Sequence, residues 1–247
     1  MTAPVFAVIG EALIDLVENG DDEPRLARPG GSPYNVAIGL ARLGWTARFI
    51  GRLSRDPLGT VLRNHALRSG VDLSLAVEAH EPSTVALVEL DAAGAAQYRF
   101  GVEGTADFRW TDAELQRIPD DVPAVHFGSL ASWLPPGDAA IARRVRALRD
   151  SGTVISYDPN VRPLLQADAA VARAQIEATI PLAHLVKTSE EDIAWLRPGE
   201  SVESVARRWL GLGPAVVVVT RGDAGATAYT ASTAVSRPPV PVQVVDT

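Results

Sequence analysis

Short, continuous Val/Ile-rich runs alternating with amphipathic stretches constrain this chain most. The runs are P-V-F-A-V-I-G (4–10), T-A-R-F-I-G (46–51), P-A-V-H-F (123–127), T-V-I-S-Y-D (153–158), A-H-L-V-K (183–187) and P-A-V-V-V-V-T (214–220). Between them, apolar residues recur at helical spacing near 33–43, 57–69, 138–150, 168–179, 189–196 and 201–210. A strand that is apolar on consecutive residues is buried on both faces, which is the condition of a parallel strand covered by crossover helices. The expected fold class is therefore α/β: a doubly wound, mostly parallel sheet with helices on both faces.

Two regions depart from this rhythm. S-T-V-A-L-V-E-L-D-A-A-G-A-A-Q-Y-R-F (83–100) alternates on both sides of a turn at Gly94 and reads as a hairpin. L-I-D-L-V-E-N-G (13–20) and R-L-A-R-P (25–29) form a second candidate pair. Together they imply a small inserted β layer, a lid from about 12–29 and 83–101, or else an edge extension of the main sheet. The segment from Thr227 to Val245 is strand-like and holds S-R-P-P, as edge strands and turns do.

Composition narrows the function classes. The net charge is −7, with 30 acidic against 23 basic residues, which argues against nucleic acid or an anionic membrane as a partner but leaves room for a local phosphate pocket. The absence of cysteine excludes disulfides, thiolate metal sites and a cysteine nucleophile. The N-terminal residues lack the pattern of a signal peptide, and no apolar run reaches the ~18 residues of a membrane span, so a cytoplasmic protein is expected. There is no G-x-x-x-x-G-K-[ST], G-x-G-x-x-G or G-x-S-x-G, and His65, His80, His126 and His184 lack metal-ligand spacing.

Four stretches can carry chemistry. In G-G-S-P-Y-N-V-A-I-G-L-A-R-L-G (30–44), Val36, Leu40 and Leu43 define an apolar helix face. Ser32 is placed to cap that helix, Pro33 suits its first turn, and Gly30 and Gly31 allow a tight turn before it. This is either a well-made helix start or an open helix end beside the Asn35 amide that can bond a polyol or an anion. D-P-N-V-R (158–162) follows a strand, so Asp158, Asn160 and Arg162 either form a plain turn or face a phosphoryl group. In K-T-S-E-E (187–191), Ser189 caps a helix and Glu190 and Glu191 suit its positive end, whether or not they also bind a ligand. V-T-R-G-D-A-G-A (219–226) is a glycine-containing loop between strands.

G-E-A-L-I-D (10–15), G-G-S-P-Y-N-V-A (30–37), A-R-L-G (41–44) and F-I-G-R-L-S-R-D-P-L-G (49–59), followed in order by the three later motifs, resemble the ribokinase-like carbohydrate kinases of the phosphofructokinase B type. The similarity spans essentially the whole chain, with Ser54 where the family usually has glycine. It implies a single ribokinase-like domain over 1–247 and transfer of the γ-phosphoryl of ATP to a sugar hydroxyl. By this resemblance Asp15, Gly30, Gly31 and Asn35 contact the sugar. Arg162 lies near the transferred group, and Lys187, Thr220, Gly222 and Gly225 lie near the nucleotide. Glu190 matches the glutamate that organises Mg²⁺ through water, and Lys187 replaces a more usual asparagine, as in the fructokinase-like branch. Asp246 matches the lead-in to a monovalent-cation site, which implies K⁺ as a further cofactor.

In such kinases a G-A-G-D segment, which supplies the base and an anion hole, follows V-D-T. The chain as given ends at Thr247, so it is expected to lack this C-terminal part and to have negligible activity by itself. The implied substrate is fructose or a related hexose. The alternatives are a 2-keto-3-deoxygluconate kinase, and a non-catalytic sugar-binding or dimerising remnant. The lid strands would also give two chains an edge for pairing as a homodimer.

Overall fold

The computed structural model describes residues 5–17, 26–90, 96–166 and 168–241, and the chain divides into two compact units, Met1–Ile155 and Ser156–Thr247. The expected turn at Gly94, the far ends of the 13–20 and 25–29 pair and the cation ligand Asp246 lie outside the described residues.

The first unit runs β1 (Val5–Ile9), β2 (Leu13–Val17), β3 (Leu26–Gly30), α1 (Ser32–Arg42), β4 (Thr46–Ile50), β5 (Arg52–Ser54), α2 (Pro57–Arg68), β6 (Val77–Ala79), β7 (Val85–Leu90), β8 (Ala96–Gly101), α3 (Asp112–Leu115), β9 (Ala124–Gly128) and α4 (Asp138–Asp150). β1 lies between β4 and β9 and is parallel to both, with Val8 opposite Phe49 on one side and His126 on the other. Every residue of β9 is buried, as expected of a strand in the middle of such a sheet. α1 packs on β1 and β4, and the fully buried Tyr34 meets Phe49 edge-on at 5.4 Å between ring centroids. Burial of each such ring contributes about 2–3 kcal/mol.

The irregular segments form a sheet of their own, in the order β3-β2-β7-β8. β2/β3 and β7/β8 are antiparallel pairs, and β2 and β7 join them in parallel. Both expected pairs are therefore present, and they do not extend the main sheet. The parallel pair β5/β6 is only three residues long on each side, too short for periodicity to announce it.

In the second unit β10 (Val154–Asp158) leads through α5 (Ala169–Thr179), β11 (Leu185–Ser189), α6 (Glu190–Leu196) and α7 (Val202–Leu210) to β12 (Val216–Thr220), β13 (Ala226–Tyr229) and β14 (Ala234–Arg237). β10, β11 and β12 are parallel, and β13 and β14 follow as antiparallel hairpins. The fully buried Trp209 of α7 belongs to the layer that covers β12. β14 is exposed at every residue, the behaviour of an edge. Among the described residues no helix is long and apolar enough to cross a membrane.

Three local expectations are corrected. Ser32 is the first helical residue rather than the cap of α1; the cap position is Gly31, and no side chain bonds there. The buried face of α1 is Pro33, Tyr34, Ala37 and Ile38, whereas Leu43 lies beyond the last helical residue and is 78% exposed. Small Ala37 allows close approach to the sheet, which leaves Val36 and Leu40 at the margin of the core. β11 begins at Leu185, so His184 precedes the strand.

Candidate functional site

In the first unit the β2–β3 hairpin and the start of α1 gather Asp15, Gly30, Gly31 and Asn35. Leu13 pairs with Gly30, and Asp15 is half-buried two residues further along β2. A Cβ on Gly30 would lie 2.1 Å from Asp15 Oδ2, so the carboxylate rests directly on the glycine backbone. Gly31 adopts φ +106°, and a Cβ there would come within 2.6 Å of the Glu11 carbonyl oxygen. Gly31 is therefore required by packing and conformation together, whereas a side chain at Gly30 would displace the Asp15 carboxylate. The Asn35 N–H donates to the Gly31 carbonyl at 2.9 Å, which places this exposed residue one turn into the helix. The result is a carboxylate, an uncapped helix start and an amide side chain around one backbone turn. Such groups can accept and donate several hydroxyl hydrogen bonds.

In the second unit the candidate residues collect at the carboxyl ends of β10, β11 and β12, the end at which open α/β sheets bind ligands. Asp158 ends β10, and Lys187 Nζ donates to its Oδ2 at 3.1 Å. Burial raises the Asp158 pKa; the Lys187 charge opposes this and nearby Asp192 adds to it. The Lys187 side chain is 38% exposed, so the ammonium's pairing with Asp158 does not bury the whole group. Ser189 at the end of β11 pairs with Thr220 at the end of β12. Glu190, the first residue of α6, is exposed. Beyond Thr220, Gly222 at φ +47° and Gly225 at φ +81° shape a tight one-turn connection to β13. A Cβ on Gly225 would strike the Arg237 carbonyl at 2.1 Å, so this glycine is needed for the close approach of the chain after β14.

The D-P-N-V-R loop is more ordered than a plain turn requires. Asn160 takes φ +39°, a left-handed conformation tolerated by Asn, and its N–H donates to Asp158 Oδ1 at 3.2 Å. Arg162 is half-buried and donates through Nη1 to Asn160 Oδ1 and to the Val161 carbonyl, each at 3.0 Å. Asp192 accepts from the Val161 N–H at 2.8 Å and closes the cap of α6 by accepting from the Ser189 N–H at 3.0 Å. One buried carboxylate thus ties the loop that carries Arg162 to the helix that carries Glu190.

Sequence reasoning passed over Asp192, and also Glu11, Asp107 and Asp56. Glu11 and Asp107 are each 1% exposed. Asp56 caps α2 by accepting from the Gly59 N–H at 2.7 Å and also accepts from the Ser83 N–H at 2.8 Å, which pulls its pKa down against the effect of burial. Its pattern was legible, since Asp before Pro at a helix start is a capping signal. Asp107 had no local signal, because its partner Ala12 is 95 residues away. Among the described residues no three His, Cys, Asp or Glu side chains group as a metal cage. A single exposed carboxylate such as Glu190 could hold a cation only where the cation keeps most of its water.

A family model described as pfkB family carbohydrate kinase matches residues 5–247. A fructokinase of Klebsiella pneumoniae is 32% identical over 97% of this chain and 78% of its own. A solved fructokinase of Xylella fastidiosa with bound ATP superposes with a TM-score of 0.88 at 26% identity, covering 98% of this chain and 76% of the other. A Vibrio cholerae O395 fructokinase double mutant, solved in its fructose-, ADP- and potassium-bound form, also gives 0.88 at 26% identity, with 99% and 79% covered. These matches bear out the mostly parallel α/β fold.

Proposed function

The chain belongs to the pfkB family of carbohydrate kinases and is a sugar kinase, and we propose that it transfers the γ-phosphoryl of ATP to fructose. The observation that carries the fructose reading is the Asp15 carboxylate packed on Gly30 beside the uncapped start of α1. On this reading Asp15 accepts two sugar hydroxyls, while the Gly31 backbone and the Asn35 amide fix the ring's orientation. Lys187 offers its ammonium to phosphate oxygens, held in place by Asp158. Arg162 adds a second cation with fork geometry. Thr220, Gly222 and Gly225 bring backbone groups close to the nucleotide.

Glu190 would hold Mg²⁺ through water. When bound, that metal supplies charge neutralisation of the phosphates. The chain's own contribution is positioning and fixed positive charge. The four-stranded sheet β3-β2-β7-β8 acts as a lid over the sugar and as the surface by which two copies pair; sedimentation at several concentrations tests the pairing.

A panel of hexoses and sugar acids decides the substrate, with calorimetric binding and coupled ATP consumption read side by side. Fructose is expected to bind most tightly, and whatever ATP consumption occurs is expected to be greatest with fructose. Stronger response to 2-keto-3-deoxygluconate would move the assignment to a sugar acid, and binding to none of the panel would contradict it.

A further inference from the structure

A chain of polar contacts runs through the base of the four-stranded sheet. Asp107 Oδ2 lies 2.5 Å from Thr84 Oγ1, which lies 2.7 Å from Thr105 Oγ1, which lies 2.9 Å from the Val102 carbonyl oxygen. Each of these three contacts is at hydrogen-bond distance and needs one proton. The carbonyl has none, and the two hydroxyls supply one each. The third proton belongs to Asp107. With it, the chain has a single direction: Asp107 donates to Thr84, Thr84 to Thr105, and Thr105 to Val102. Without it, two oxygens face each other with no hydrogen between them, in a place where Thr84 is fully buried and Asp107 is 1% exposed.

The same carboxyl reaches a second segment. Its Oδ1 accepts from the Ala12 N–H at 2.9 Å, immediately before β2, and the Ile14 N–H of β2 donates to the Thr84 carbonyl at 3.0 Å. Asp107 thus joins the start of β2, the start of β7 and the segment that leaves β8. Asp15 lies on β2, opposite Ala86 of β7. The charges around Asp107 favour its neutral form. Glu11, next to Ala12, places a second buried carboxyl nearby, and it accepts from the Ala131 N–H at 3.1 Å. Arg52 of β5 donates to the Ala106 carbonyl at 2.9 Å, but its guanidinium is taken up by Glu81 and Glu114, and Arg109 pairs with Glu81 as well. Leu130–Ser132, packed against the same turn, carries no titratable side chain. Burial pushes the Asp107 pKa up to about 7, against the contacts with Thr84 and the Ala12 N–H that favour the carboxylate, and Glu11 adds to the rise.

We propose that Asp107 is a positioning residue held as a neutral carboxylic acid, and that its proton completes the chain which fixes β2, and with it Asp15, in the sugar-binding arrangement. The proton assignment stands on the contact count alone; the effect on sugar rests on the reading of Asp15 given above.

The test pairs infrared spectroscopy with fructose calorimetry on wild type, Asp107→Asn and Thr84→Val. The difference spectrum between wild type and Asp107→Asn is expected to show a protonated-carboxyl band at about pH 6 that fades as pH passes through about 7. Fructose affinity of wild type is expected to fall at least about tenfold between about pH 6 and pH 9. Asn mimics the acid, donating to Thr84 and accepting from Ala12, so Asp107→Asn is expected to bind within about threefold at both pH values. Thr84→Val is expected to bind weakly at both, because it breaks the chain whatever the state of Asp107. No carboxyl band at about pH 6, or an unchanged pH profile in Asp107→Asn, would overturn the proposal. A titrating band in a protein that binds no sugar supports the proton assignment and overturns the sugar reading of Asp15.

Discussion

Helices α1 and α6 each follow a strand that ends among the candidate binding residues, and they begin in opposite ways. α1 starts at Gly31, with no side chain bonded to its first amides. α6 starts at Ser189, whose hydroxyl accepts from the Asp192 N–H while the Asp192 carboxylate accepts from the Ser189 N–H. A helix end without a side-chain cap leaves all its first amides to outside partners, whereas a capping box satisfies two donors internally and leaves fewer. The difference separates two modes of recognition. The first unit presents backbone, a carboxylate and an amide around the obligatory Gly31, a surface suited to hydroxyls. The second presents charge at strand ends, through Lys187, Arg162 and Glu190, with its helix end partly satisfied by its own capping box.

The largest test of this contrast is Gly31→Ala. The new Cβ would meet the Glu11 carbonyl in a backbone conformation that L side chains rarely adopt, so a loss of about 3 kcal/mol or more is expected in urea unfolding, together with fructose binding. A tolerated alanine would show that the turn is not the rigid element described here.

Asp107→Asn sharpens the same half in the opposite direction. The native carboxyl titrates at about 7 against an ordinary value of 3.8, so between those limits the folded state holds a proton that the unfolded chain has released. Stability of the wild type therefore falls as pH rises through this window and levels off above it. Asn carries no such dependence, and Asp107→Asn is expected to be more stable than wild type at about pH 8 by about 2–4 kcal/mol, read from melting curves.

Asp192→Ala probes the other half. It removes the α6 cap and the bond to the Val161 N–H, and is expected to cost about 2–3 kcal/mol. Calorimetry should show weakened nucleotide binding with fructose binding unchanged, and a loss confined to fructose would reverse the assignment of the two halves. The smallest effect is expected for Ser32→Ala. Because Ser32 does not cap α1, its loss should change stability by less than about 0.5 kcal/mol, whereas a loss near 1 kcal/mol would mean that α1 is capped after all.

Much of this arrangement is legible in the sequence, and the parts that are not have a common cause. Strand β9 announces itself because both faces are buried, β12 reads as a strand from its run of valines although one face is only half-buried, and Gly30–Gly31 before Ser-Pro marks a tight entry into a helix. The 83–100 pair of the smaller sheet follows from alternation, while the 13–20 and 25–29 pair has no such alternation and is only a candidate in the sequence. What local pattern does not carry is contact at long sequence separation: Asp107 with Ala12, Asp56 with Ser83, Asp192 with Val161. The face of α1 was misjudged for a related reason. Leu43 continues the helical period on paper, but the helix stops at Arg42, and Tyr34 and Ala37 rather than the larger aliphatics meet the sheet. Asp192 lay within S-E-E-D, where the adjacent glutamates drew the stronger signal.

The division of labour between the two units is tested most directly by titrating fructose and Mg-ATP separately into wild type, Asp15→Ala and Lys187→Met. The account predicts that Asp15→Ala loses at least about 30-fold in fructose affinity and keeps its nucleotide affinity, while Lys187→Met does the reverse. Equal loss of both ligands in either variant, or fructose binding untouched by Asp15→Ala, would contradict it.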